Sequence, residues 1–227
     1  MIRVLISAGF LAWLLVAWLA PAAIAQTSGP QFQGVPPPPP GRSSNPAREI
    51  SNAALLRELR RGGYILYFRH TSTDFSRDDA KSKSDDDCAN QRPLTDKGRD
   101  EARRIGAAIR DLKIPIGKVL ASPRCRTMET AMLIFGRAEK AAEARGGPPT
   151  SENTARYADL QKIFSTQLPA ATNLAIASHG NPFYGIAGPP YLAEGEAAVV
   201  KPLGKDFEIV GRVRWDGWMA LATPTAK

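Results

Sequence analysis

The chain contains two histidines, His70 and His179, and each directly follows a short apolar run. Tyr64-Ile65-Leu66-Tyr67-Phe68 leads into Arg69-His70, and Leu174-Ala175-Ile176-Ala177 leads into Ser178-His179-Gly180-Asn181. A third run, Val119-Leu120-Ala121, leads into Ser122-Pro123-Arg124-Cys125-Arg126. Apolar runs of this length without polar alternation read as strands buried on both faces of a parallel sheet. Ligands of open α/β sheets bind beyond the carboxyl ends of the strands, so the three segments are expected to converge on one pocket. One histidine after a strand is an ordinary packed or surface residue. Three strand ends that together carry two histidines and several arginines suit phosphoryl transfer. There, charge on the non-bridging oxygens must be met by fixed cations while a nucleophile is held in line. Arginine suits the clamp because its planar fork binds phosphate oxygens in pairs.

Adjacent guanidinium charge disfavours a protonated imidazole, so His70 is expected to stay neutral and nucleophilic at ordinary pH. Its other ring nitrogen then needs an acceptor to fix the tautomer. Two other chemistries are excluded by spacing. A cysteine phosphatase needs an arginine six positions after its cysteine, and those positions hold Leu94 for Cys88 and Ala131 for Cys125. A zinc site built from Cys88, Cys125, His70 and His179 would lack the short paired spacings of such sites.

The elements that must position these residues are an alternation of strands and helices, which predicts an α/β, three-layer sandwich with a mostly parallel central sheet flanked by helices. Ser51 is placed to cap a helix through Leu55, Leu56 and Leu59 that Gly62-Gly63 ends. A long polar stretch from Thr71 to Pro93 follows the first strand; loops of this length are functional or disordered, and its Asp85-Asp86-Asp87 run reads as a solvated surface. Thr95 caps a helix whose apolar residues Ala102, Ile105, Ile109 and Leu112 share one stripe, with Arg103, Arg104 and Arg110 off it. A helix through Thr127, Ala131, Leu133 and Phe135 stops at Gly136, and Glu139 to Asn153 gives no strong signal. Ala197 to Val200 and Phe207 to Val213 predict an antiparallel hairpin at the sheet edge, with Phe207, Ile209 and Val213 on one face.

The two ends of the chain set its context. Met1-Ile2-Arg3, an apolar run from Val4 to Leu19, and small residues at Ala23 and Ala25 predict a secretory signal over residues 1–25, cleaved after Ala25. The alternative is an uncleaved membrane anchor, the one case in which the protein would contact a membrane, because Val4 to Ala25 is long enough to span about 20 residues of bilayer. Residues 26–46, with Pro36 to Pro40 in a row, cannot bury an apolar face and read as an extended, Pro-rich tether. That leaves residues 47–222 for one catalytic domain, in the periplasm or outside the cell. The chain has 227 residues, 43% hydrophobic and 23% charged, a balance that excludes both a disordered and a membrane-embedded body. A formal charge of +8 suits a protein that handles anions, but Lys and Arg are scattered, which argues against nucleic-acid binding. Two cysteines in an exported chain predict one disulfide, Cys88 to Cys125, against the alternative of two separate thiols.

Tyr67-Phe68-Arg69-His70-Thr71-Ser72-Thr73 resembles the Arg-His signature of the histidine phosphatase superfamily, the group that includes phosphoglycerate mutases, acid phosphatases and phytases. Leu94-Thr95-Asp96-Lys97-Gly98 is similar to the segment that opens that family's second helix. Ser122 to Thr127 with Glu129-Thr130-Ala131 is similar to its second arginine motif, and Ser178-His179-Gly180 to its second-histidine motif. The resemblance runs over about residues 47 to 215, with the motifs in the family's order. It implies a phosphatase acting on a small-molecule or envelope phosphomonoester, with His70 as the nucleophile that forms a phosphohistidine. It also implies a phosphate clamp of Arg69, Arg126 and His179, a hydroxyl role for Thr73, and no metal or other cofactor. Gln91-Arg92 resembles a feature of small exported members in which an extra arginine borders the pocket, which makes Arg92 a phosphate-binding candidate.

Two departures matter. Thr71-Ser72 stands where the mutase branch has Gly-Glu or Gly-Gln, which argues against a phosphomutase. Gly180-Asn181 stands where the acid phosphatase and phytase branch has an Asp after its histidine, so the proton donor is not set by motif. Glu196, within Glu194-Gly195-Glu196, is the candidate acid, the alternative being a solvated turn, and Asn181 is a candidate contact to phosphate or substrate. The competing functional class is a binding module that keeps the clamp without turnover.

Overall fold

The computed structural model describes residues 50–147 and 156–223. The secretory signal, its cleavage after Ala25 and the Pro-rich tether lie outside the described residues.

Six strands form one sheet in the order β3-β2-β4-β1-β5-β6, where β1 is Ile65–Arg69, β2 Ile116–Ala121, β3 Glu139–Lys140, β4 Asn173–Ser178, β5 Ala197–Pro202 and β6 Phe207–Val213. The first four in this order run parallel, and β5 and β6 add an antiparallel hairpin at the edge. Every residue of β1 and β4 is buried, as expected of central strands with helices on both sides. Successive side chains alternate between faces. Leu66 and Phe68 pack against helices α1 (Asn52–Arg61), α2 (Asp96–Asp111) and α3 (Cys125–Phe135), while Ile65 and Tyr67 pack against α4 (Ala158–Ser165) and α5 (Gly180–Ala187). Two cores thus sandwich the sheet.

Thr95 caps α2 by accepting the Gly98 N–H at 3.0 Å, and the stripe of Ala102, Ile105 and Ile109 is buried. Gly136 ends α3 in the left-handed conformation, φ 72°. Ser51 stands at the N-cap of α1, but its hydroxyl makes no capping bond.

The hairpin departs from simple alternation. Val199 pairs with Gly211 and Val200 with Ile209, leaving Val210 as an extra residue in β6. This bulge switches the faces: Phe207 and Ile209 join the core under α4, whereas Val210 and Val213 join the opposite core. Val213 therefore does not share the face of Phe207 and Ile209. The acidic run is also not a solvated surface throughout. Asp85 pairs with Arg145 at 2.7 and 2.5 Å and approaches Arg124 at 3.8 Å, and Asp86 pairs with Lys140. The run ties the long loop to the segment after α3.

Candidate active site

Because β4 lies between β1 and β2, with Arg69 opposite Ser178 and Ala121 opposite Ala177, the residues after all three strands emerge together. The ladder continues one step beyond the strands: His70 N–H donates to Ser178 O at 3.0 Å, and Ser122 N–H to Ala177 O at 2.9 Å. The imidazoles of His70 and His179 meet edge to face with centroids 5.6 Å apart, both buried.

Nδ1 of His70 lies 3.0 Å from the carbonyl oxygen of Thr71. A carbonyl only accepts, so Nδ1 carries the proton and the lone pair is on Nε2. Burial, then His179, Arg126 and Arg69, holds His70 well below the ordinary imidazole range. His179 is depressed likewise by burial, then by Arg126, Arg124, Arg69 and Arg92. Its Nε2 is 2.9 Å from the Ser122 hydroxyl, which locates a polar partner not anticipated from sequence. The site therefore holds two neutral imidazoles among guanidinium groups.

The chain around His70 is braced from α2 and α3. Buried Glu101 of α2 accepts the Ser72 N–H at 3.0 Å and the Ser72 hydroxyl at 2.9 Å. Gly98 lets α2 approach Ser72 so closely that a Cβ there would sit 2.1 Å from the Ser72 carbonyl oxygen. From α3, Thr130 Oγ1 donates to Arg126 O at 2.7 Å and accepts from Thr71 N at 3.4 Å. These contacts give the Thr95-to-Gly98 and Glu129-Thr130-Ala131 segments their physical meaning.

Arg69 and Arg126 are both buried arginines at the cluster. Arg69 Nη1 donates to Leu192 O at 2.8 Å, Nη2 lies 3.4 Å from Glu194 Oε1, and the guanidinium sits 5.2 Å from the Tyr191 ring centroid. Arg126 Nη1 lies 3.0 and 2.9 Å from the two carboxylate oxygens of Asp79, a residue of the long loop. Asp79 Oδ1 also accepts the Arg92 N–H at 2.8 Å. The Arg92 guanidinium rests on the Phe75 ring, 4.7 Å from its centroid, and with Arg126 it lines a groove of 450 Å³. Cys88 and Cys125 form a disulfide that ties the long loop to the first turn of α3, beside Arg126. Gln91 reinforces the tie by accepting the Cys125 N–H at 3.0 Å.

Glu196 is placed differently from its expected role. Its oxygens are held by Arg212 Nε at 2.8 Å, Arg212 Nη2 at 3.0 Å and Ala193 N at 2.7 Å. The left-handed turn at Gly195, φ 73°, separates it from Glu194, which is the glutamate that meets His70, with Oε1 3.8 Å from Nδ1. Glu194 also engages Thr73, accepting its N–H at 3.1 Å and its hydroxyl at 2.7 Å. Thr73 therefore serves the glutamate. Asn181, on the first turn of α5, accepts the Tyr191 hydroxyl at 2.6 Å and so joins the Arg69 side of the site. Sequence reasoning missed Asp79, Ser122 and Glu101; only the position of Ser122 at a strand end offered a signal.

Comparison with known proteins finds a family model and a set of similar folds. Residues 65–147, which carry Arg69, His70 and Arg126, match the family model described as histidine phosphatase superfamily (branch 1). No curated protein matches the chain. Among solved structures, the mycobacterial glucosyl-3-phosphoglycerate phosphatase in complex with inorganic phosphate superposes with a TM-score of 0.50 at 10% identity, over 70% of this chain and 99% of that one. The protein histidine phosphatase SixA complexed with tungstate gives 0.46 at 20% identity, over 67% and 97%. The putative phosphohistidine phosphatase SixA from Agrobacterium tumefaciens gives 0.47 at 14% identity, over 66% and 97%. Residues 65–147 are thus similar to the histidine phosphatase superfamily, and the solved structures share the fold of this chain.

Proposed function

We propose that this protein hydrolyses a phosphomonoester by passing the phosphoryl group first to Nε2 of His70 and then to water. The observation that carries the reading is the fixed tautomer of a buried, neutral His70 beside Arg69, Arg126 and His179. In-line transfer needs a free lone pair on the nucleophile and cations around the equatorial oxygens. Nε2 supplies the first. Arg69, Arg126 and His179, with Arg92 at the rim, supply donors for the second, and burial strengthens each of these interactions.

The substrate is proposed to be a small-molecule or cell-envelope phosphomonoester. Export is supported by the Cys88–Cys125 disulfide, since such bonds persist in oxidising compartments, and fractionation of cells with sequencing of the mature N-terminus checks it. Activity is tested by turnover of p-nitrophenyl phosphate with EDTA present. Wild type should release phosphate and His70→Ala should lose at least about 10³-fold. Equal turnover by both proteins overturns the reading, and no turnover by wild type favours a phosphate-binding module.

A further inference from the structure

The proton donor to the leaving group is the part of the reaction that no motif assigns. In an in-line displacement the leaving oxygen departs on the side of phosphorus opposite the attacking nitrogen. The acid must therefore reach the phosphate from across the clamp, not from behind the imidazole. Glu194 meets His70 on its Nδ1 side, at 3.8 Å, and is committed to Thr73. Glu196 is committed to Arg212, and Asp85 to Arg145. Asp79 sits closer to a clamp arginine, 2.9 and 3.0 Å from Arg126 Nη1, than Glu194 does to Arg69 at 3.4 Å. It is held there from the long loop by the Arg92 N–H, and its side chain is 29% exposed, open to proton exchange with solvent.

Resting on the phosphatase reading above, we propose that Asp79 is the general acid and base of the reaction, displaced from Arg126 by the incoming phosphate. Burial pushes its carboxyl up, but the Arg92 N–H, Arg126 and Arg124 outweigh this and hold it below the ordinary aspartate range. A phosphate dianion reverses that balance, because it takes Arg126 for itself and sets negative charge beside the carboxylate. Substrate binding thus favours the protonated form. As the bond from Nε2 of His70 to phosphorus forms, the bond from phosphorus to the ester oxygen breaks. Its electron pair takes the Asp79 proton, and the alcohol leaves. In the second half the Asp79 carboxylate accepts a proton from water as the water oxygen bonds to phosphorus. The N–P bond breaks, its pair returns to Nε2, and phosphate leaves with Asp79 protonated again.

A leaving-group series tests this. An alkyl phosphate such as glycerol phosphate needs its leaving oxygen protonated, whereas p-nitrophenolate departs without help. Asp79→Asn should therefore lower kcat for the alkyl phosphate by about 10²-fold or more, and for p-nitrophenyl phosphate by less than about tenfold. Asp79→Glu should restore part of the loss on the alkyl phosphate. The aryl substrate also reports that the variant is folded. Equal losses on both substrates would overturn the proposal and leave Asp79 a counterion of Arg126. A gain on the alkyl phosphate would overturn it too and mark Asp79 as a competitor for the phosphate seat. Both outcomes leave the phosphatase reading intact. A wild-type protein inactive on both esters would overturn both.

Discussion

Glu194 accepts the backbone N–H of Thr73 at 3.1 Å and its hydroxyl at 2.7 Å, joining the loop before β5 to the chain that follows His70. The same carboxylate lies 3.4 Å from Arg69 Nη2. Glu194→Gln keeps the shape but turns one acceptor into a donor facing an existing donor. We expect kcat to fall about ten- to a hundredfold, because misplacing a clamp or nucleophile by a fraction of an ångström is costly. Glu196→Ala, two residues on, should act on stability instead, since it leaves the largely buried Arg212 with only the Pro190 and Tyr191 carbonyls and no countercharge, at about 3 kcal/mol. Urea unfolding and steady-state kinetics on both variants separate the roles.

Ser72 and Glu101 make a second such pair. Removing the carboxylate in Glu101→Ala leaves a half-buried N–H and a hydroxyl without their acceptor, an expected cost of about 1–3 kcal/mol. Gly98→Ala attacks the same junction from the backbone side, because the new methyl would meet the Ser72 carbonyl at 2.1 Å. Both variants should lower the melting temperature and kcat together. A variant that melts normally yet loses activity would argue against this bracing role.

The disulfide closes a loop of 37 residues in sequence separation. By the loop-entropy estimate its removal destabilises the protein by about 4 kcal/mol. Cys88→Ser with Cys125→Ser should fall by roughly that amount in urea. Loosening the loop should also raise KM, because Asp79, Gln91 and Arg92 are carried on it. Thiol titration of the denatured, unreduced wild-type protein should find no free thiol.

His70 and His179 are both held neutral well below the ordinary range, chiefly by burial. Unfolded imidazoles titrate near about 6.5, so below that pH the unfolded chain binds protons that the folded one refuses. Their contribution to stability is complete above about pH 6.5. It declines as pH falls, by about 1.4 kcal/mol per pH unit for each histidine until the depressed folded value is reached. Urea midpoints at pH 7, 6 and 5 should fall in that order, and His179→Asn should show a shallower slope. The acid limb of kcat/KM should likewise lie well below pH 6.5. Midpoints that stay level or rise on acidification would show that the imidazoles are not buried neutral.

How much of this was legible in sequence follows from the range of the interactions. Arg69-His70, Ser122 to Arg126 and Ser178-His179 announced themselves because each ends an apolar run that only a central strand explains. Thr95 and Gly136 were readable because helix caps are local. The choice between Glu194 and Glu196 was not, since it depends on the left-handed turn at Gly195 and on Arg212 in the next strand. Asp79 sits in a polar loop whose course is set by the disulfide and by the ion pairs of Asp85 and Asp86. The short helices α4 and α5 were missed, the latter because Gly180, Pro182 and Gly185 weaken its signal. β3 has two residues and exists only by pairing with β2.

The central claim is that His70 receives the phosphoryl group on Nε2. Rapid acid-free quenching of the protein during turnover of a ³²P-labelled phosphomonoester, followed by mass spectrometry of its peptides, tests it most directly. An acid-labile, alkali-stable phosphoryl group is expected on the peptide containing His70, and none in His70→Ala. Turnover by wild type with no such label, or with the label on another residue, would contradict it.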